Sequence, residues 1–242
     1  MRERIIDLAR GAQFIPHVYD YCDHWCRYCP VQARCLVYRV EQIRRSDASR
    51  RWPRRTVGDE VRDSLEFMTS VWEATGTPVA RLDAVLADPV KAPREPALGD
   101  PLELLARHYA IVSGGFLRAL GVTFWEEPDG PVQTPHTVLA CYHILIAAKT
   151  YRALVGAQQS CGGGRALEDD SNGSAKIALL GIDRSITALH EIGETDDDAR
   201  IDALIELLEA LRSSVEHRFP GARMFLRPGL DTPAEGQQQP CG

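Results

Sequence analysis

The chain reads as a mainly α protein: an antiparallel bundle of four to six helices with an N-terminal cysteine-rich segment that binds metal. Three observations carry this expectation. Apolar residues recur at helical spacing over several long stretches, each bracketed by capping or stop residues. No stretch alternates apolar and polar residues as a half-buried strand would, and no strand–helix rhythm or internal repeat is present. Four of the seven cysteines crowd into residues 22–35.

Taken in order, residues 1–36 combine a short amphipathic stretch (Ile5, Ile6, Leu8) with the cysteine cluster. An arginine-rich connector, VYRVEQIRRSDASRRWPRRT, follows and ends near Pro53. Val61, Leu65, Met68 and Trp72 place a helix over 57–74 that Gly76 stops, and the proline-rich stretch 75–99 is a linker or surface loop. Asp100 followed by Pro101 opens a helix to about Leu120, since aspartate caps the first free N–H groups and proline suits the first turn. Thr134 and Pro135 open the next by the same logic. That helix, His136 to Val155, is apolar almost all round and is expected at the centre.

Residues 156–173, with GGG and Ser171–Asn172–Gly173, read as a flexible loop. Helices are expected at about 174–192, with Ala175, Leu179, Ile182, Ile186 and Leu189 as the apolar stripe, and at 197–217 after an acidic turn. The tail from Phe219 is irregular, its last dozen residues disordered. The resulting organisation is a metal segment with its basic connector (1–55), a helical body (56–227) and a tail (228–242).

Composition sets the outer limits. With 44% hydrophobic and 26% charged residues in 242, wholesale disorder is excluded and one full core or two small ones can form. No apolar run reaches the roughly 20 residues of a bilayer span. The opening MRERIIDLARGAQ lacks the apolar stretch and cleavage site of a signal peptide, so a cytoplasmic protein without a membrane partner is expected. In a reducing compartment, clustered thiols are ligands or catalysts rather than a disulfide scaffold. The net charge of −6 hides an asymmetry, because residues 1–55 hold 12 Arg against 6 Asp and Glu. Such a basic head could meet nucleic acid through Arg44, Arg45, Arg50, Arg51, Arg54 and Arg55, or could dock on the chain's own acidic body.

The segment YDYCDHWCRYCPVQARCLVY spaces Cys22, Cys26, Cys29 and Cys35 as C-x3-C-x2-C-x5-C. Thiolates are soft donors that select zinc, copper(I) or iron–sulfur clusters over hard cations. Zinc sites draw ligand pairs from separated turns, whereas a nearly continuous array with proline after a cysteine suits a [4Fe–4S] cluster. Both cofactors stay open, the cluster first and zinc as the alternative. His17 and His24 are close enough in sequence to substitute as ligands.

The first three cysteines, with Tyr28 before the third, are similar to the C-x3-C-x-aromatic-C motif of radical S-adenosylmethionine enzymes. The strand series those enzymes place after the motif does not follow here, and the fourth cysteine departs from their pattern. The C-x2-C-x5-C part is similar to their auxiliary-cluster motifs. The whole segment, with GSAKIALLGIDRSI (173–186) and FPGARMFLRPG (219–229), resembles a group of bacterial proteins carrying Y-C-D-x-W-C-x-x-C-P. That resemblance implies no particular activity.

Familiar catalytic motifs are missing: no P-loop, G-x-S-x-G, H-E-x-x-H or G-x-G-x-x-G, and no E-x-x-H pair of the di-iron bundles. Polar residues on apolar helices remain: His143, Lys149 and Arg152 on one, Lys176, Asp183 and His190 on the next. They read either as an ion pair of Lys149 or Arg152 with Asp183 that fixes helix register, or as a pocket for an anionic ligand or proton transfer. The functional expectation is an intracellular metal- or cluster-binding protein, with redox or cluster-dependent chemistry. The alternative is a nucleic-acid-associated protein with a structural zinc module.

Overall fold

In a computed structural model, residues 7–8, 13–16, 18–47, 97–122, 134–160, 165–196 and 198–231 are described. Among them five α-helices occur, α1 (Leu36–Asp47), α2 (Pro101–Ala119), α3 (Pro135–Ser160), α4 (Arg165–Gly193) and α5 (Ala199–Arg218), and no strand. The expected helix over 57–74, the proline-rich linker up to residue 96 and the final eleven residues lie outside the described part. Contacts divide the chain into two compact units. One comprises Met1–Tyr19, Cys26–Arg94 and Pro228–Leu230; the other comprises Asp20–Trp25, Glu95–Arg227 and Asp231–Gly242.

The second unit holds an antiparallel four-helix bundle in which α2 packs on α3, α3 on α4, α4 on α5, and α5 back on α2. Its helices begin where capping chemistry places them. The Asp100 carboxylate accepts from the Leu102 N–H at 2.8 Å, and Glu103 reaches back to the Gly99 N–H at 3.3 Å. Thr134 and Thr137 exchange bonds in the manner of a capping box: the Thr137 N–H reaches Thr134 Oγ1 at 3.2 Å and the Thr134 N–H reaches Thr137 Oγ1 at 3.0 Å. Asp198 caps α5 by accepting from the Arg200 N–H at 2.9 Å. Gly121, in the left-handed region at φ 71°, follows α2 as a stop.

The apolar stripes then meet in one core. Leu102, Ala106, Tyr109, Phe116 and Leu117 come from α2, while Leu139, Tyr142, Ile146 and Leu154 come from α3. The expected α4 stripe is buried in full, and Ile201, Leu204, Leu208, Leu211 and Val215 of α5 repeat at alternating steps of three and four. Gly181 lets α3 and α4 approach closely, because a Cβ there would lie 2.9 Å from Ile146 Cγ1 and 3.1 Å from Tyr142 Cδ1.

Three expectations are corrected. Residues 156–160 and 165–173 are helical rather than loop: α3 runs on to Ser160, and α4 starts at Arg165 and carries Ser171–Asn172–Gly173 inside it, while 161–164 lie outside the described part. Local turn propensity yields to packing there, since Ser171 and Ser174 are buried and a Cβ on Gly173 would strike the Tyr21 ring and lie 2.9 Å from Phe225 Cζ. The first part of the arginine-rich connector is helix α1, whose Val40 is buried and whose first turn is bonded from Arg39 N–H to the Cys35 carbonyl at 3.1 Å. Finally, residues Pro135–Gln158 of α3 are long and apolar enough to cross a membrane by length and composition alone. In this fold that helix packs between α2 and α4 and buries Lys149 on one side.

Candidate functional site

None of the four motif cysteines is in a disulfide; Cys22, Cys26 and Cys29 are half-buried and Cys35 is buried. In the first unit, two short 3-10 turns, Cys26–Tyr28 and Gln32–Arg34, present three of them. The Cys29 N–H donates to the Cys26 carbonyl at 3.2 Å, and the Gln32 side-chain amide donates to the same carbonyl. Cys35 N–H donates to the Gln32 carbonyl at 3.1 Å, and Cys35 in extended geometry leads into α1. These are contacts within a dozen residues, held by backbone groups of consecutive tight turns.

Cys22 is held differently. It belongs to the segment Asp20–Trp25, which lies against the bundle in the second unit. Asp23 is the centre of the anchor: its carboxylate accepts from Tyr142 Oη at 3.0 Å, from Arg184 Nη1 at 2.5 Å, and from the Trp25 N–H at 3.3 Å. Burial would raise the Asp23 pKa, but the Arg184 guanidinium and the hydrogen bonds outweigh it and hold the carboxyl below its ordinary range. Tyr142 is fully buried, and its hydroxyl also receives Arg184. Burial, with the Asp23 charge, pushes that hydroxyl's pKa well up, so it stays a neutral donor to the carboxylate. The Trp25 ring meets Tyr142 edge-on at 5.5 Å, and the Arg184 guanidinium sits 5.6 Å from the Tyr142 ring centre and 6.0 Å from that of Trp25.

A second anchor lies before the cysteine. Lys149, only 6% exposed, donates from Nζ to the Asp20 carbonyl at 2.6 Å. Arg152 grips Asp170 with two nitrogens, at 2.6 and 3.3 Å, and approaches Asp20 at 3.5 Å. Tyr21 donates its hydroxyl to Asp170 at 3.1 Å and stacks at a tilt on Phe225, 4.8 Å between ring centres. Desolvation, then repulsion from Arg152, lowers the Lys149 pKa against the opposing pull of Cys22, Asp20 and Asp170. Directly after Asp23, His24 takes φ 57°, a left-handed conformation uncommon outside glycine.

The residues that flank Cys22 in the motif therefore carry the docking. Tyr21, Asp23 and Trp25 alternate along the segment, and each meets α3, α4 or the residues after α5. Sequence reading missed Asp170 because it fell within the supposed loop, and missed Arg184 because its partner is 161 positions away. The signal that could have found them was the aromatic–acid–aromatic alternation itself.

The other singled-out residues are dispersed. Asp183 pairs with Arg223 at 2.5 Å and with Arg212 at 3.7 Å; the expected bond to Lys149 or Arg152 is made instead by Asp170 and Asp20. The reason is angular: Asp170 and Asp183, thirteen residues apart on α4, point about 140° apart around the helix. Lys176 pairs with Asp231 at 2.8 Å and donates to the Phe225 carbonyl, which ties the segment after α5 to α4. His143 turns its Nδ1 to the Ala140 carbonyl at 2.8 Å, and its ring edge would lie 3.6 Å from a Cβ on Gly114 of α2. His190 is exposed near the end of α4. Arg44 and Arg45 lie on α1 with side chains outside the described part, as do Arg50, Arg51, Arg54 and Arg55 altogether.

The donor chemistry of four thiols outside any disulfide suits a soft metal or a cluster. Among the described residues, no group of three or more His, Cys, Asp or Glu side chains is gathered as a ready metal site. Comparison with known proteins finds no matching family model, no matching curated protein and no matching solved structure.

Proposed function

We propose that the protein is a metal- or iron–sulfur-binding protein whose ligands are Cys22, Cys26, Cys29 and Cys35, with a [4Fe–4S] cluster as the first candidate and zinc as the second. The observation that carries this reading is four disulfide-free thiols at C-x3-C-x2-C-x5-C within fourteen residues. The short 3-10 turns Cys26–Tyr28 and Gln32–Arg34 support it by keeping Cys26, Cys29 and Cys35 within consecutive tight turns of the chain. Because the thiols are not already gathered, binding would complete the site and release protons as thiolates form.

The test is anaerobic purification of the full chain followed by measurement of iron, acid-labile sulfide and zinc. Replacing any one of the four cysteines by serine should cause a large loss of metal, while Cys141→Ser should leave it intact. Wild-type protein with neither iron nor zinc would overturn the proposal.

A further inference from the structure

We infer that Tyr142 and Arg184 of the helical bundle are positioning residues for the first cysteine ligand, so that the bundle sets how firmly the cysteine site holds its metal. This rests on the reading of Cys22 as a ligand. It goes further by giving the helical body a role: the platform that orders that ligand.

The geometry around Cys22 leaves its backbone pinned on both sides. The Asp20 carbonyl, two residues before it, is held by the buried Lys149 ammonium, and Tyr21, next to it, is held by Asp170. The Asp23 carboxylate, one residue after it, receives Tyr142 and Arg184. Every one of these groups projects from α3 or α4, the two long helices at the heart of the bundle, and Tyr142 itself is fully buried. A fully buried side chain is confined by its packing, and Tyr142 donates from such a position to the aspartate that adjoins the ligand, with the half-exposed Arg184 beside it. The left-handed turn at His24 follows at once, so the chain changes direction immediately after the anchor. Groups that orient ligands without touching the metal commonly account for about 10–100-fold in metal affinity. An unanchored Cys22 would have to be ordered by the metal alone, and would leave first when a competitor arrives.

The experiment uses the full chain loaded with zinc, or purified anaerobically with its iron, and follows metal release to an excess of chelator. Arg184→Ala combined with Tyr142→Phe should speed release about 10–100-fold, with Arg184→Ala alone giving less and Arg184→Lys restoring part of the hold. In a Cys22→Ser background the same changes should add nothing, because the ligand they position is gone. Helix content by circular dichroism checks that the bundle persists. A second readout needs no metal: alkylation of Cys22 by iodoacetamide, mapped by peptide mass, should accelerate in Arg184→Ala while that of Cys29 does not change.

Release from the double variant at the wild-type rate would overturn the inference while leaving the metal proposal standing. So would equal acceleration with and without Cys22, which would mean general loosening. Wild-type protein without metal, together with unchanged Cys22 alkylation in Arg184→Ala, would remove both.

Discussion

Cys22 and Cys29 stand seven positions apart in one motif, yet they are held by opposite means. Around Cys29 the bonds run between backbone groups a few residues apart, in turns that any short peptide of suitable sequence could sample. Around Cys22 they run from side chains 119 to 161 positions away, on helices that must first assemble. Local bonds form early and break easily; long-range bonds cost loop closure but inherit the rigidity of the core behind them. The proposed ligand set would draw on both kinds, with Cys26, Cys29 and Cys35 in local turns and Cys22 beside residues held by the bundle.

The strongest way to break this contrast is to weaken the bundle. Leu179, fully buried on α4, should cost about 2–5 kcal/mol when replaced by alanine, read as a lower melting temperature. Hydrogen exchange should then quicken at Asp20–Trp25 but hardly at Cys29 and Cys35. Equal quickening in both places would mean that the two are not held differently.

Gly173 sharpens the contrast through its sign. In an exposed helix interior Gly→Ala stabilises by about 1 kcal/mol. Here the added Cβ meets the Tyr21 ring and Phe225, so Gly173→Ala should destabilise by about 1–3 kcal/mol, with the loss concentrated in the docked segment. Thermal melts together with Tyr21 ring contacts by NMR decide it; a stabilised variant would show that the segment does not press on α4.

His143 supplies a smaller effect at the opposite side of α3. Burial, with Arg118 nearby, lowers its pKa in the folded chain below the ordinary value near 6.5, although the Ala140 carbonyl opposes this. Its contribution to stability is therefore fully present above about pH 6.5 and is lost as pH falls through the lower folded value. Melting temperature should decline between about pH 7 and about pH 5, and His143→Gln should flatten that decline. An unchanged slope would place the acid sensitivity elsewhere.

The least effect is expected at Asp183. Its side chain is 38% exposed and its partners Arg223 and Arg212 are themselves open to water, so Asp183→Asn should cost between about 0 and 1 kcal/mol. That is far from the cost of stranding a buried charge, which the expected pairing with Lys149 or Arg152 would have implied. A loss of several kcal/mol in a urea melt would show that this surface network is more important than its exposure indicates.

Much of the architecture was legible before any coordinates. Asp100–Pro101, Thr134–Pro135 and Asp198 open helices where capping chemistry puts them, and the α4 and α5 stripes are read directly from steps of three and four. The four cysteines also declare themselves by spacing alone. These features depend on neighbours within one or two helical turns, and such neighbours are written side by side in the chain. What only the tertiary structure decided is everything that pairs distant positions. Gly173 has the local signature of a turn and becomes helical because Tyr21 and Phe225 need the space of its missing side chain. Asp170 rather than Asp183 meets Arg152, because the angle around α4 counts only once α3 and the Asp20–Trp25 segment lie against it. Asp23 and Arg184 carry no periodicity that links them across 161 residues, so their bond exists only where the packed core brings the two together.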